Sequence, residues 1–374
     1  MPGSHSQRTA TSDLALVRRV PALLDVLPRH ALNALPTPVA PLTAIARARG
    51  LGEVWVKRDD RTCELYGGNK PRKLEWLLGA ALRRGRRSVI TFGGIGTHHG
   101  LATAICARDA GLRTILVLLP QPVTDVVRRS LLLDHAAGAE MHLASSVAGV
   151  AARAIGILAR GSLEGDVPAV VPTGGTSSLG AIGYVDAACE LAEQVRAGEL
   201  PEPDAIFVPL GSGGTIAGLM LGLKLAGLRS RLVAVLVTDI LPPSAARLMR
   251  LANACSRRLR AATREFPALS VTAADLTIVS DYLGRGYGFA TDAGQAAREL
   301  LADLEGIALE TTYTAKCMAA FLDLAARPPY RDQNLLFWNT YSSVDLGAAF
   351  PRLPDFHELP PPFHRFFAGA RPAN

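Results

Sequence analysis

The chain has 374 residues, 49% hydrophobic and 20% charged, which is the balance of a globular protein and more than one compact core usually holds. A net charge of +7 would suit a polyanion, but the arginines are interleaved with alanine and leucine and read as solvated helix faces, so no nucleic-acid partner is expected. Five scattered cysteines, with no CxxC and no metal spacing, predict reduced thiols in a cytoplasmic protein, and the first 20 residues lack the apolar run of a signal peptide.

From Val54 onward, strands and helices alternate. A short strand at 55–58 precedes a helix whose apolar face carries Leu74, Leu77, Leu78, Ala81 and Leu82; Pro71 suits its first turn and Gly85 closes it. A strand at 88–92 leads through GGIGTHHG into an alanine-rich helix ending near Ala110. Next come a strand at 114–119, a helix from Val123 to about His135, a strand at 140–144, a helix at 148–158 and a return segment at 169–175. A helix over 182–196 precedes the break PEPD at 201–204, the best boundary in the chain. Beyond it the pattern predicts a strand at 205–210, a glycine loop, a helix to Leu225 and a strand at 232–239. The tail adds an arginine-rich helix, a strand at 277–282, helices at 292–304 and 316–325, and a strand at 334–341. Near-continuous apolar strands with helices between them predict an α/β protein with parallel sheets covered on both faces. The uncharged stretch 205–223 is long enough to span a membrane, but the turn residues at its centre reject that reading, and no membrane partner is expected.

Only five of the 40 basic residues are lysines, and two of them, Lys70 and Lys73, stand together behind Gly67-Gly68-Asn69. Arginine keeps its proton at working pH and makes a poor nucleophilic amine, so the placement points to lysine chemistry. Lys70 precedes Pro71, which pushes its backbone toward an extended conformation just outside the helix start; the helix dipole would then lower its pKa. The alternative is a solvated lysine pair. The loop Gly211-Ser212-Gly213-Gly214-Thr215 lies between a strand and a helix and can cradle a phosphate, although as a simple tight turn it would look the same. Thr97, with backbone amides beside His98 and His99, can hold a carboxylate at another helix start; adjacent histidines diverge, so a shared metal is not expected.

A reactive amine plus a phosphate cradle suggests pyridoxal phosphate. The segments WVKRDD, GGNKPRKLEWL, GGIGTHHG, GSGGTIAGL, GYGFATDAG, ETTYTAKCM and LLFWNTYSS resemble, in order, the D-cysteine desulfhydrase and 1-aminocyclopropane-1-carboxylate (ACC) deaminase family, from about Leu35 to Gly347. The resemblance implies two open, twisted, mostly parallel sheets of the tryptophan-synthase-β-like class, with the cofactor in the cleft between a large domain (1–75 and 186–374) and a small inserted one (76–185). It implies that Lys70 is the Schiff-base lysine, and that Lys73 and the 211–215 loop hold the phosphate. Thr97, His98 and His99 would bind the substrate carboxylate and, through His98, the cofactor's ring oxygen. Tyr287 and Tyr313 match active-site tyrosines. ACC deaminases have Glu and Leu where this chain has Thr314 and Thr340. Thr340 would therefore meet the pyridine nitrogen with a hydroxyl, and Thr314 would line the substrate side.

The expected activity is α,β-elimination from a small β-substituted amino acid, as in D-cysteine desulfhydrases, with a homodimer in the cytoplasm. The alternatives are ACC-type ring opening, β-replacement, racemisation or a non-catalytic PLP-binding protein. Departures from the family pattern cluster on the substrate side: Gly96-Thr97-His98 replaces Gln-Ser-Asn, and Asn339-Thr340-Tyr341-Ser342 replaces His-Thr-Gly-Gly. An imidazole at 98 would titrate near neutrality.

Overall fold

The computed structural model describes residues 13–240 and 242–368; the signal-peptide reading of residues 1–12 lies outside them. The described strands are β1 (Val39–Pro41), β2 (Val54–Lys57), β3 (Ser88–Gly94), β4 (Arg113–Leu119), β5 (Glu140–Leu143), β6 (Ala169–Val170), β7 (Ala205–Leu210), β8 (Arg231–Leu236), β9 (Leu276–Val279) and β10 (Leu335–Trp338). They form two sheets, ordered β1-β2-β10-β7-β8-β9 and β5-β4-β3-β6. Every pairing is parallel except β1 with β2.

The larger sheet is covered on both faces, which is why β7 is buried along its whole length and is written AIFVPL without alternation. On one face the helices Ile182–Arg196 and Gly214–Ala226 lie against each other, and a Cβ at Gly218 would come within 2.4 Å of the Tyr184 Cβ. On the other, the helix Thr314–Ala325 stacks Phe321 edge-on against Phe207 and Phe337. The smaller sheet has its own core around Val89, Leu101, Leu116 and Leu131. Phe350, Leu359 and Phe363 from the C-terminal tail join that core.

The limits 75/76 and 185/186 fall inside the helices Asn69–Arg83 and Ile182–Arg196, so continuous helices link the sheets. A buried ion cluster fixes the first of these to the larger sheet. Arg72 pairs with Asp59 at 2.8 Å and with Glu190 at 2.9 Å, while Lys57 donates to the Thr37 carbonyl and to Glu190. Asp59 also accepts from Tyr184 and Trp338, so the cluster ties the 69–83 helix to β2, β10 and the 182–196 helix.

Several elements differ from the sequence reading. The 69–83 helix starts before Pro71, so Lys70 is in its first turn and not ahead of it. A proline there loses no helical bond, because first-turn N–H groups have no intrahelical acceptor. The Gly68 and Asn69 N–H groups instead donate to the carbonyls of Asp59 and Thr340, holding the chain in the turn. The 169–175 segment supplies only the two-residue β6, and the helix expected at 148–158 runs over Val147–Glu164. Residues 205–223 divide into β7 and a helix, and no helix of the described residues is long and apolar enough to cross a membrane.

Candidate active site

The loops following β2, β3, β7 and β10 converge between the sheets, at the C-terminal ends of parallel strands, where open α/β sheets bind ligands. They enclose a cavity of about 630 Å³. Lys70, Lys73, Thr97, His98, His99, Gly211, Ser212, Gly213, Thr215, Tyr287, Tyr313, Thr314 and Thr340 all line it; Gly214 sits just behind.

Gly68, with φ +85°, admits the carbonyl of Thr340 within 2.7 Å of where a Cβ would stand, and this close approach sets Lys70 at the cavity floor. Lys70 Nζ donates to Asn69 Oδ1 at 2.6 Å, and Asn69 Nδ2 donates to Thr215 Oγ1 at 3.0 Å. Burial lowers the Lys70 pKa to about 8, against the opposing pull of the Glu310 carboxylate. Desolvation is the first cause of the lowering. Lys73, buried one turn on, donates to the Gly174 carbonyl at 3.1 Å; burial first and Lys70 second push its pKa well down.

The 211–215 loop opens the helix Gly214–Ala226. Gly213 needs its left-handed φ of +94°, and a Cβ there would meet the Leu248 side chain at 2.5 Å. A Cβ on Gly214 would stand 3.0 Å from Thr176 Oγ1 and 3.4 Å from Lys73 Nζ, closing the space above the helix N-terminus. Thr176 donates to Ser212 Oγ at 2.6 Å. Free first-turn amides, two hydroxyls and an ammonium converge there, the donor set a phosphate requires.

Thr97 caps the helix His98–Asp109, its hydroxyl accepting from the Gly100 N–H at 3.3 Å, so both histidines lie on the helix and not in the loop. His99 faces inward and shares a hydrogen bond with Thr91 at 3.0 Å. His98 shares one with the Tyr66 hydroxyl at 3.1 Å and meets the Tyr341 ring edge-on at 5.7 Å. Burial holds the His98 imidazole below its ordinary 6.5, so its titration lies lower than the near-neutral value expected from its type. Tyr313 donates to the Tyr287 hydroxyl at 2.7 Å, and burial raises both pKa values, so both phenols keep their protons at neutral pH. The Thr340 hydroxyl has no hydrogen-bond partner among the described residues. The Thr314 hydroxyl is engaged by Glu310.

Sequence reasoning missed Glu310, Asn69, Tyr66, Thr176 and Gln121. The Glu310 carboxylate accepts from the N–H groups of Thr312, Tyr313 and Thr314, each at 2.7 Å, and so shapes the turn that carries Tyr313. The signal for Asn69 and Glu310 was present, since both lie inside quoted motifs; Tyr66, Thr176 and Gln121 have no local pattern.

A lowered lysine amine beside a small-residue phosphate cradle, with the unpaired Thr340 hydroxyl in the same cavity, fits pyridoxal phosphate. The family model described as pyridoxal-phosphate dependent enzyme matches residues 31–340. The D-cysteine desulfhydrase of Klebsiella pneumoniae (strain 342) is 33% identical over 336 residues, covering 88% of this chain and 98% of the relative. That of Salmonella choleraesuis (strain SC-B67) is 34% identical with the same coverage. A crystal structure of an ACC deaminase homologue superposes with a TM-score of 0.74 at 31% identity, covering 88% of this chain and 96% of that one. With the lysine, the cradle and a match over 88% of the chain in agreement, the chain belongs to the pyridoxal-phosphate-dependent enzymes, among the relatives of D-cysteine desulfhydrase and ACC deaminase.

Proposed function

We propose that the protein is a lyase that eliminates the β-substituent of a small amino acid, as its D-cysteine desulfhydrase relatives are named for doing, giving pyruvate, ammonia and, from D-cysteine, sulfide. The observation that carries this reading is the Lys70 amine, lowered to about 8, in a cavity where Thr340 offers a hydroxyl. Pyridoxal phosphate, when bound, supplies a carbonyl for that amine and an electron sink for the bond broken at the substrate Cα. Lys73, Ser212 and Thr215, with the amides of Gly213 and Gly214, hold the phosphate. Thr97 and the amides of His98 and His99 hold the substrate carboxylate. Lys70 Nζ would take the Cα proton of the substrate. The Tyr313 hydroxyl donates to Tyr287, which leaves the Tyr287 proton free to pass to the departing thiolate. Glu310 is engaged by three backbone N–H groups of its own turn, and the group read at the pyridine nitrogen is the Thr340 hydroxyl, which would not hold that nitrogen protonated as a carboxylate does. Elimination, where a good leaving group does more of the work, needs that proton less than opening an unactivated ring does.

The reading includes a large cofactor-binding part, 1–75 and 186–374, and a small inserted part, 76–185, each with its own sheet. On the family resemblance alone, it also includes a homodimer in the cytoplasm. The five buried free thiols accord with a reducing compartment. An assay with D-cysteine, β-chloro-D-alanine and ACC tests the activity. Pyruvate from the first two and no 2-oxobutyrate from ACC is the expected result; appreciable ACC turnover contradicts it.

A further inference from the structure

We propose that Gln121 binds the carboxylate of the amino-acid substrate through its side-chain amide, an assignment that rests on the function proposed above. Gln121 follows β4 between Pro120 and Pro122, and its side chain reaches across the end of β3 into the cavity that holds Lys70 and Thr97. Its Oε1 accepts the Gly96 N–H at 3.2 Å. The amide occupies space that only glycines leave open: a Cβ on Gly94 would stand 2.1 Å from Oε1, and one on Gly96 would stand 2.9 Å from Nε2. Two glycines of the loop therefore seat one glutamine delivered from the next strand.

The bond from Gly96 fixes the orientation of the amide. With Oε1 committed to an N–H donor, Nε2 carries two N–H groups, and among the described residues neither has an acceptor. A half-buried amide held in this way on a cavity wall, next to Thr97, presents donors to an anionic ligand group. Pro122 approaches Gly288 of the opposite wall, 3.7 Å from where its Cβ would lie, so Gln121 sits where the 120–122 loop meets the loop that carries Tyr287. Among the described residues, the lysines and arginines that line this cavity are Lys70, Lys73 and Arg247. Lys73 is assigned above to the phosphate and Lys70 to the chemistry, and Arg247 is an exposed residue of the helix Ala245–Ala262. Beside Thr97, Gln121 adds N–H groups that no described residue engages, and these face the space where the carboxylate would lie.

The test uses the cofactor-loaded enzyme, its Gln121→Leu variant and its Gln121→Glu variant, which keeps the acceptor for Gly96 but replaces the donor with a negative oxygen. Dissociation constants are measured by calorimetry and cofactor absorbance for D- and L-alanine, which lack a leaving group, and for ethylamine, the same skeleton without the carboxylate. The expected result is weakening of the better-bound alanine on the order of 10-fold in Gln121→Leu and more in Gln121→Glu, as for loss of a charge-assisted hydrogen bond. Ethylamine binding changes less than about 2-fold on the same reasoning. Equal weakening of alanine and ethylamine would mean that Gln121 only supports the loop, and that result overturns the proposal, as do unchanged alanine binding and wild type that fails to prefer alanine over ethylamine. Elimination is assayed separately. Wild type that binds alanine in this Gln121-dependent way but eliminates nothing sinks the proposed activity and leaves the carboxylate contact standing.

Discussion

Lys70 is half-buried, and burial lowers its pKa to about 8 while the Glu310 carboxylate pulls the other way. A lysine in water near 10.5 is almost wholly protonated at pH 8, whereas this one is about half neutral there, and the neutral amine is the nucleophile. Covalent capture of pyridoxal phosphate by the apoprotein should accelerate as pH rises toward 8 and level off above it. Rapid-mixing absorbance measures the rate, and a profile still climbing steeply at pH 10 would refute the desolvation argument. At this scale, much of the site was legible in the sequence for a chemical reason: lysine is rare in this chain, and its two clustered copies sit behind glycines that admit close approach. Gln121 was illegible because its partner comes from outside its own segment, whereas Glu310 lay inside the motif ETTYTAKCM, whose pattern does not tell that its carboxylate shapes the turn. Gln121 meets Gly96 across 25 residues of chain. His98 lines the cavity, and its environment moves its titration down from the near-neutral value expected of an imidazole.

The 69–83 helix owes its position to the buried cluster beneath it. Glu190, inside that cluster, would be pushed up by burial, but Arg72 and Lys57 outweigh this and hold it at about 2, below its ordinary 4.5. A carboxylate depressed in the folded state contributes stability above its unfolded pKa and loses it as pH falls through the folded one. Unfolding free energy measured by denaturant titration should therefore fall between about pH 4.5 and pH 2. Glu190→Gln leaves Arg72 and Lys57 with one carboxylate fewer. That variant should be about 3–5 kcal/mol less stable at neutral pH, the cost of breaking a buried ion pair from one side, and its acid slope should be shallower. An unchanged acid slope would show that the cluster does not titrate as a unit. None of this pairing could be read from the sequence, where Lys57, Arg72 and Glu190 stand far apart. The strands and helices themselves were legible from apolar runs and glycine breaks. The misplaced helix start came from weighing the local push of Pro71 above the tertiary hydrogen bonds from Gly68 and Asn69.

Two sheets converging on one cleft create a site that neither sheet holds alone: Lys70, Ser212 and Thr340 follow strands of the larger sheet, on loops or a helix start, and Thr97, His98 and Gln121 follow strands of the smaller. The parallel order was legible because buried strands and intervening helices leave few other arrangements. The antiparallel β1 and the tail packed on the smaller sheet were not, since the first is three residues long and the second has no regular period. The central claim is that this convergence makes Lys70 the residue that carries the cofactor. Borohydride reduction of the pyridoxal-phosphate-loaded protein, followed by peptide mass mapping, tests it directly. The account predicts the reduced pyridoxyl group on Lys70 alone, and no covalent label in Lys70→Ala, although that variant still binds free cofactor through the phosphate cradle. A label on Lys73 or Lys316 in the wild type, or a covalent label retained by Lys70→Ala, would contradict it.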